Sequence, residues 1–483
     1  VLQKIHRPAD IKPAHFEALG LHVIPDASPE DIIPEPSFLP PVEEWNSISA
    51  DNLLEANNAT KRPLNNGNLS PGAQTYRERQ NELLTDNTAA FRTVRRIPPP
   101  TGEVPVRLGN AYEFFKNLEF FSGYWEDTSL PPKPPADPDA SDKEEEKVPH
   151  HLQTHQRTGT GTQLPPDYRQ HLLTAFIKLV AYDFGCNVSF PRTEPRLYLT
   201  PPDPSPPSYF NSSATFIYRT PTDRAAARSG IVEGPVAAVS CRTSTVFATE
   251  PEAQLDLARE VIAVLLTAQQ RAREGKAEKR FGEGKWWTTK PRWGGGSGGP
   301  IGREPDKASD DVPAVVGAPG GEEKSVTAEA KRAIGGIAGP SPSKRSKRGK
   351  DGLNMQIYEN YRKMLPPSST WDRRARYSSI GKASSGQGYD DVFLVSALNH
   401  HVSIIRVRVP DQLMNALEDN ETGDWGRMVM WRSKWYDLFI AKERVDAMQV
   451  IWGMMAFLMR KIEEPDTAKK VADDAKSEKM DLS

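Results

Sequence analysis

Between residues 275 and 352 the chain loses all helical and strand periodicity, and this break constrains the fold more than any single motif. From Gly294 to Gly339, 12 of 46 residues are glycine, a composition that buries too little apolar surface to offset the entropy of ordering. The patterned stretches on either side are each too small to close a core alone. They are therefore expected to form one α/β domain, with a disordered, basic, Gly-rich insertion (275–352) looped out of it.

The first part of that domain is expected over residues 106–274. Asp167 to Cys186 places Leu172, Phe176, Leu179 and Val180 at helical spacing. RLYLT (196–200), ATFIYRT (214–220) and GPVAAVSCR (234–242) read as three short strands between Pro/Ser/Asp turns. A helix from Pro251 stacks Leu255, Ala258, Ile262, Leu265 and Gln269, with Glu250 and Glu252 at its start, where negative charge is favoured. Tyr112, Phe114, Phe115, Phe120, Phe121, Tyr124 and Trp125 read as core packing.

The second part is expected over 353–463, where order resumes with NMQIYENYRKML (354–365). DVFLVSALNHHVSIIRVRVP (391–410) has the form of a hairpin turning at Asn399-His400. WYDLFIAKE (435–443) reads as a final strand. The helix after it carries Met448, Ile451, Trp452, Met455 and Leu458 on one face. The fold class is α/β: a mixed central sheet flanked by helices, with long disordered arms.

Outside this domain, residues 1–105 read as an extended Pro-rich arm anchored by Ile33, Phe38, Leu39 and Trp45, with one charged helix over 76–96. Residues 128–163 read as a disordered loop and 464–483 as a charged tail. With two cysteines, Cys186 and Cys241, neither a disulfide scaffold nor a CxxC metal knuckle is available. Two reduced thiols in an intracellular protein are expected. No apolar run reaches the ~18 residues of a membrane span, and the segment from Val1, which starts without Met, lacks a signal-peptide core. No membrane partner is expected.

No strand is followed by GxGxxG or GxxxxGK[ST], and no GxSxG elbow links a strand to a helix. Cys241 with His400 or His401 is a conceivable nucleophile–base pair, but Cys241 lies in a strongly apolar strand and the histidines fit a hairpin turn. His150, His151 and His155 sit in the 128–163 loop, without the fixed geometry a metal needs.

The order helix, three strands, helix, insertion, hairpin, strand, helix resembles the PD-(D/E)xK, or restriction-endonuclease-like, superfamily over residues 167–274 and 391–460. The resemblance implies a restriction-endonuclease-like core in which two carboxylates and a lysine hold Mg²⁺ and an activated water against a phosphodiester. Carried over, Pro221-Thr222-Asp223 stands at the first acid and Ser240-Cys241-Arg242 at (D/E)xK. Ser240 supplies no carboxylate, and Arg242 cannot position or deprotonate water as lysine does. Glu233 stands at the entry of its strand, at the opposite end from Ser240. The site is expected to be degenerate, with no assigned catalytic residue, metal or cofactor, and Mg²⁺ required only if another acid completes it.

The insertion and its edges carry other signals. Lys285, Trp286, Trp287, Lys290, Arg292 and Trp293 interleave cations with aromatics, as do Arg373 and Arg374 beside Trp371. Such patches suit single-stranded nucleic acid or a protein partner. Lys344, Arg345, Lys347, Arg348 and Lys350 form a compact basic cluster of the nuclear-localisation kind. The net charge of −2 leaves nucleic-acid contact to such local patches. Three readings stand. The first is a non-catalytic nuclear scaffold or adaptor with protein partners, including chromatin- or RNA-associated ones. The second is a nucleic-acid-binding protein acting through the insertion. The third is a metal-dependent nuclease with a non-standard site.

Overall fold

The computed structural model describes residues 11–123, 166–189, 197–200, 208–210, 212, 214–223, 225–226, 231–242, 247–274, 376–384, 386–419 and 423–462. The 354–365 segment, the tryptophan-rich edge 279–293, the basic cluster 344–350, Arg373, Arg374 and the three loop histidines lie outside them. The helices are α1 (Pro13–Ala18), α2 (Pro29–Ile32), α3 (Val42–Ser47), α4 (Leu53–Ala59), α5 (Ala73–Leu84), α6 (Asn87–Arg95), α7 (Tyr112–Ser122), α8 (Pro166–Ala181), α9 (Glu250–Arg271), α10 (Asp411–Glu418) and α11 (Ala441–Met459). The strands are β1 (Leu21–Ala27), β2 (Cys186–Ser189), β3 (Leu197–Leu199), β4 (Ser208–Phe210), β5 (Thr215–Arg219), β6 (Ile231–Cys241), β7 (Arg376–Ser378), β8 (Tyr389–Leu398), β9 (His401–Pro410), β10 (Met428–Ser433) and β11 (Tyr436–Asp437).

Nine strands form one mixed sheet, in the order β1-β10-β9-β8-β6-β5-β2, with β7 also on β6 and β11 on β9. The pairs β1–β10, β6–β7 and β6–β8 are parallel and the others antiparallel. The β6–β8 pairing joins strands from either side of the Gly-rich segment, from Ala238 against Leu394 to Cys241 against Ala397. Central strands β6, β8 and β9 are covered on both faces, which is why they read as near-continuous apolar runs. On one face α5, α7, α8 and α11 bury Tyr76, Phe115, Phe176 and Met448 with Val239, Val395 and Val402. On the other, α9 and α10 bury Val264, Leu265 and Leu413 with Ala238, Leu394 and Ile405.

The hairpin forms where expected. Asn399 turns it with φ at 53°, a left-handed conformation that asparagine tolerates. Gly234, at φ 149°, sits where the β5–β6 register shifts. A Cβ there would stand 2.8 Å from the Tyr218 ring.

Four expectations are corrected. Residues 11–105 are not an extended arm: they contribute edge strand β1 and helices α1 to α6. Their apolar anchors supply enough buried surface to fold, with Trp45 packed edge-on against Tyr76 and Trp452. The single helix over 76–96 is two, because Asp86 accepts from the Thr88 and Ala89 amides and starts α6 afresh. The strand RLYLT does not join the main sheet. Its core, β3, pairs with β4 in a separate ribbon, pinned by the Gln269 side-chain amide, which bonds the Tyr198 N–H and C=O like a strand neighbour. The final strand expected over 435–443 shrinks to β11, Tyr436–Asp437; the longer β10 precedes it and α11 begins at Ala441.

Candidate functional site

The C-terminal ends of parallel strands β6, β8 and β10 meet at one rim of the sheet, the end where open α/β sheets collect polar side chains. Alternation along β6 turns Arg242 to the α9 face. There its Nε donates to Asp256 at 2.6 Å and its Nη2 to Glu260 at 2.6 Å. Arg242 also donates to the Ser396 hydroxyl, and Arg432 from β10 bonds the second oxygen of Glu260. Trp435 stands over both guanidinium groups, at 5.3 and 5.6 Å. Two acids thus meet two arginines beneath an aromatic lid.

Burial by itself would raise the Glu260 carboxyl. Arg242, Arg432 and the Ser396 hydroxyl outweigh it and hold Glu260 below its ordinary value. At Asp256 burial prevails over Arg242, with the charge of Glu260 adding to it, and the carboxyl is raised. Burial would lower Arg242, but Glu260 and Asp256 hold it above its usual value. All three guanidinium nitrogens of Arg242 are engaged within the network, whereas Nη1 of Arg432 is buried without a hydrogen-bond partner among the described residues. Neither Asp256 nor Glu260 stood out in the sequence. The available signal was an acid at Glu260, set one residue before Val261 and four before Val264 in an apolar helix.

The residues carried over from the nuclease pattern do not gather. Asp223 follows β5 at the surface, where its two oxygens accept from the Ala225 and Ala226 amides, each at 3.0 Å. Glu233, opposite Arg219 in the sheet, is ion-paired with it. Both lie toward the start of β6, whereas Ser240 and Arg242 lie at its other end. Glu233 and Arg242 stand nine positions apart along the chain, up to about 30 Å at ~3.3 Å per residue. Ser240 pairs in register with Ser396.

Cys241 turns to the opposite face from Arg242, against the core under α8. Burial pushes its thiol up to about 12, and nearby Arg169 and Arg242 only partly offset this. Such a thiol is no activated nucleophile at neutral pH. Burial thus leaves Cys241 a packed thiol rather than the partner of a histidine base.

A second ionic cluster, unmarked in the sequence reading, sits at the start of β8. Asp390 accepts from the Ala383 amide at 2.8 Å and pairs with Arg271 at 3.2 Å, while Asp391 pairs with Arg406 at 2.8 Å. Burial dominates at Asp390 and raises it despite Arg271. Two adjacent acids opening an apolar strand were the signal for it.

The hairpin turn brings His400 and His401 to Asp437 on β11. Nε2 of His400 lies 3.6 Å from Asp437 Oδ1, and Nε2 of His401 lies 3.8 Å from Oδ2. Among the described residues, this is the one set of three or more His, Cys, Asp or Glu side chains whose ligand atoms come together, all within 4.8 Å. Burial and the neighbouring His400 lower His401 against the pull of Asp437 and Glu443. Asp437 is held below its usual value because contact with His400 and the Phe439 amide outweighs burial.

No helix among the described residues is long and apolar enough to cross a membrane. Neither family models, curated proteins nor solved structures provide a match to the chain.

Proposed function

We propose that the chain is a non-catalytic scaffold or adaptor subunit, built on a nuclease-like core whose site has become structural. The observation that carries this reading is the placement of Asp223 and Glu233 toward one end of β6 and Arg242 at the other, each engaged by its own partners. Metal-assisted phosphodiester cleavage needs carboxylates converging on one ion, with a cation beside them to position water. Here one acid caps a turn, one neutralises Arg219, and the arginine is held between Asp256 and Glu260. The basic cluster 344–350 motivates a nuclear location, and the aromatic and basic edges of the insertion motivate docking to protein partners.

The test is incubation of the purified chain with DNA and RNA in Mg²⁺ or Mn²⁺, alongside partner capture from nuclear extract after nuclease treatment. The reading expects no cleavage and protein partners that survive the nuclease. Cleavage that disappears in Asp223→Ala overturns it in favour of an active nuclease. Nucleic-acid binding that falls steeply with salt, and is lost on deleting 279–293 and 344–350, overturns it in favour of a binding protein.

A further inference from the structure

The β8–β9 hairpin and β11 bring two imidazoles and a carboxylate together at one point of the sheet. Nε2 of His400 lies 3.6 Å from Asp437 Oδ1, and Nε2 of His401 lies 3.8 Å from Oδ2. One ligand atom from each of the three side chains lies within 4.8 Å of the others, near enough to converge on a tetrahedral zinc, whose ligands stand about 3.3–3.6 Å apart for bonds of about 2.0–2.2 Å. The backbone fixes all three residues. His401 opens β9 opposite Leu398, and the Leu438 amide donates to the His400 carbonyl at 3.0 Å. The Asp437 amide donates to Glu443 at 2.7 Å, and the Phe439 amide donates to Asp437 Oδ1 at 2.8 Å.

The surroundings suit an ion as well. Phe121 and Phe439 stand edge-on to the His400 ring at 5.8 and 4.9 Å, walling one side and fixing the ring's plane. On the other side the His401 and Asp437 side chains keep 36% and 23% of their exposure, which leaves an entry path and room for a fourth ligand. The bond from Phe439 to Asp437 is the kind of outer contact that orients a ligating carboxylate. Two nitrogens and one carboxylate oxygen select a borderline ion over the hard cations Mg²⁺ and Ca²⁺, which take oxygen.

We propose that His400, His401 and Asp437 form a zinc site with three protein ligands and a fourth position open to solvent. The ion would tie the hairpin turn to β11 and the head of α11. The site shares no residue with the Arg242–Glu260 network and does not depend on the scaffold reading.

The test is titration of the full-length chain with ZnCl₂ by calorimetry after EDTA treatment and dialysis, with zinc per chain read by mass spectrometry. One tightly held zinc is expected, with no comparable uptake of Mg²⁺ or Ca²⁺. His401→Ala and Asp437→Asn are each expected to weaken binding by at least about tenfold. Both side chains are partly exposed, and a thermal melt in EDTA confirms that each variant folds. Replacing His150, His151 and His155 together by alanine is expected to leave the affinity unchanged. A readout independent of any variant is amide exchange in the wild-type chain, which zinc should slow over 399–402 and 436–439. Wild-type binding no tighter than about millimolar, unchanged binding in both variants, loss of binding in the loop triple variant, or no protection at the hairpin would each overturn the site.

Discussion

Arg242 donates to Glu260 at 2.6 Å where almost no water reaches either side chain, with exposures of 6% and 1%. Arg432 holds the other oxygen of the same carboxylate. Removing one member of a buried, bonded charge set leaves the others uncompensated, which costs about 3–5 kcal/mol. Glu260→Gln is therefore expected to lower unfolding stability in urea by that amount. A loss below about 1 kcal/mol, the range of exposed pairs, would show that the network is solvated.

The same carboxylate sets an acid limit on stability. Glu260 titrates below its ordinary value in the fold, so the folded chain holds fewer protons than the unfolded chain in that range. Its contribution is complete above the ordinary glutamate value and is lost as pH falls towards the depressed folded value. Denaturation midpoints measured from pH 7 to pH 3 should drop more steeply for the wild-type chain than for Glu260→Gln. Parallel curves would assign the acid sensitivity to other groups.

Cys186 and Cys241 are both pushed up to about 12 by burial. At pH 8 the thiolate fraction is on the order of 10⁻⁴. A thiol reagent should label the folded chain slowly and both cysteines rapidly once urea is added. Prompt stoichiometric modification of Cys241 in the folded chain would reopen its reading as a nucleophile.

Trp45 belongs to the core rather than to an arm, with ring centroids 5.4 Å from Tyr76 and 6.4 Å from Trp452. Trp45→Ala is expected to cost about 3–5 kcal/mol of global stability. An unfolded arm would yield within about 0.5 kcal/mol. Equilibrium denaturation followed by circular dichroism separates the two outcomes.

How much of this was legible depended on where each residue's partner lies in the chain. The β8–β9 hairpin could be read because its apolar runs and its turn at Asn399 are contiguous. The buried face of α11 could be read because Met448, Ile451, Trp452 and Met455 repeat at helical spacing. Strand β1 could not: LHVIPDA contains a proline, its one sheet neighbour among the described residues is β10, and most of its side chains remain at least partly exposed. The position of Arg242 was legible as the end of a strand, but its role was not. Asp256, Glu260, Ser396 and Arg432 reach it from three other elements, and no local spacing links them. The proximity of Asp437 to His400 and His401 was hidden in the same way, since β11 is two residues long and joins the hairpin only through the sheet.

The pairing of Leu21 with Met428 dictates an order of events. A chain emerging from the ribosome presents β1 long before β10 exists, and β6 well before β8. Two unsatisfied strand edges must therefore wait through synthesis of the Gly-rich segment before the sheet can close. Closure over such sequence distances is slow, and the open edges invite pairing with other chains in the meantime. Synthesis of the long segment between β6 and β8 is thus the stage at which the growing sheet is most open to mispairing.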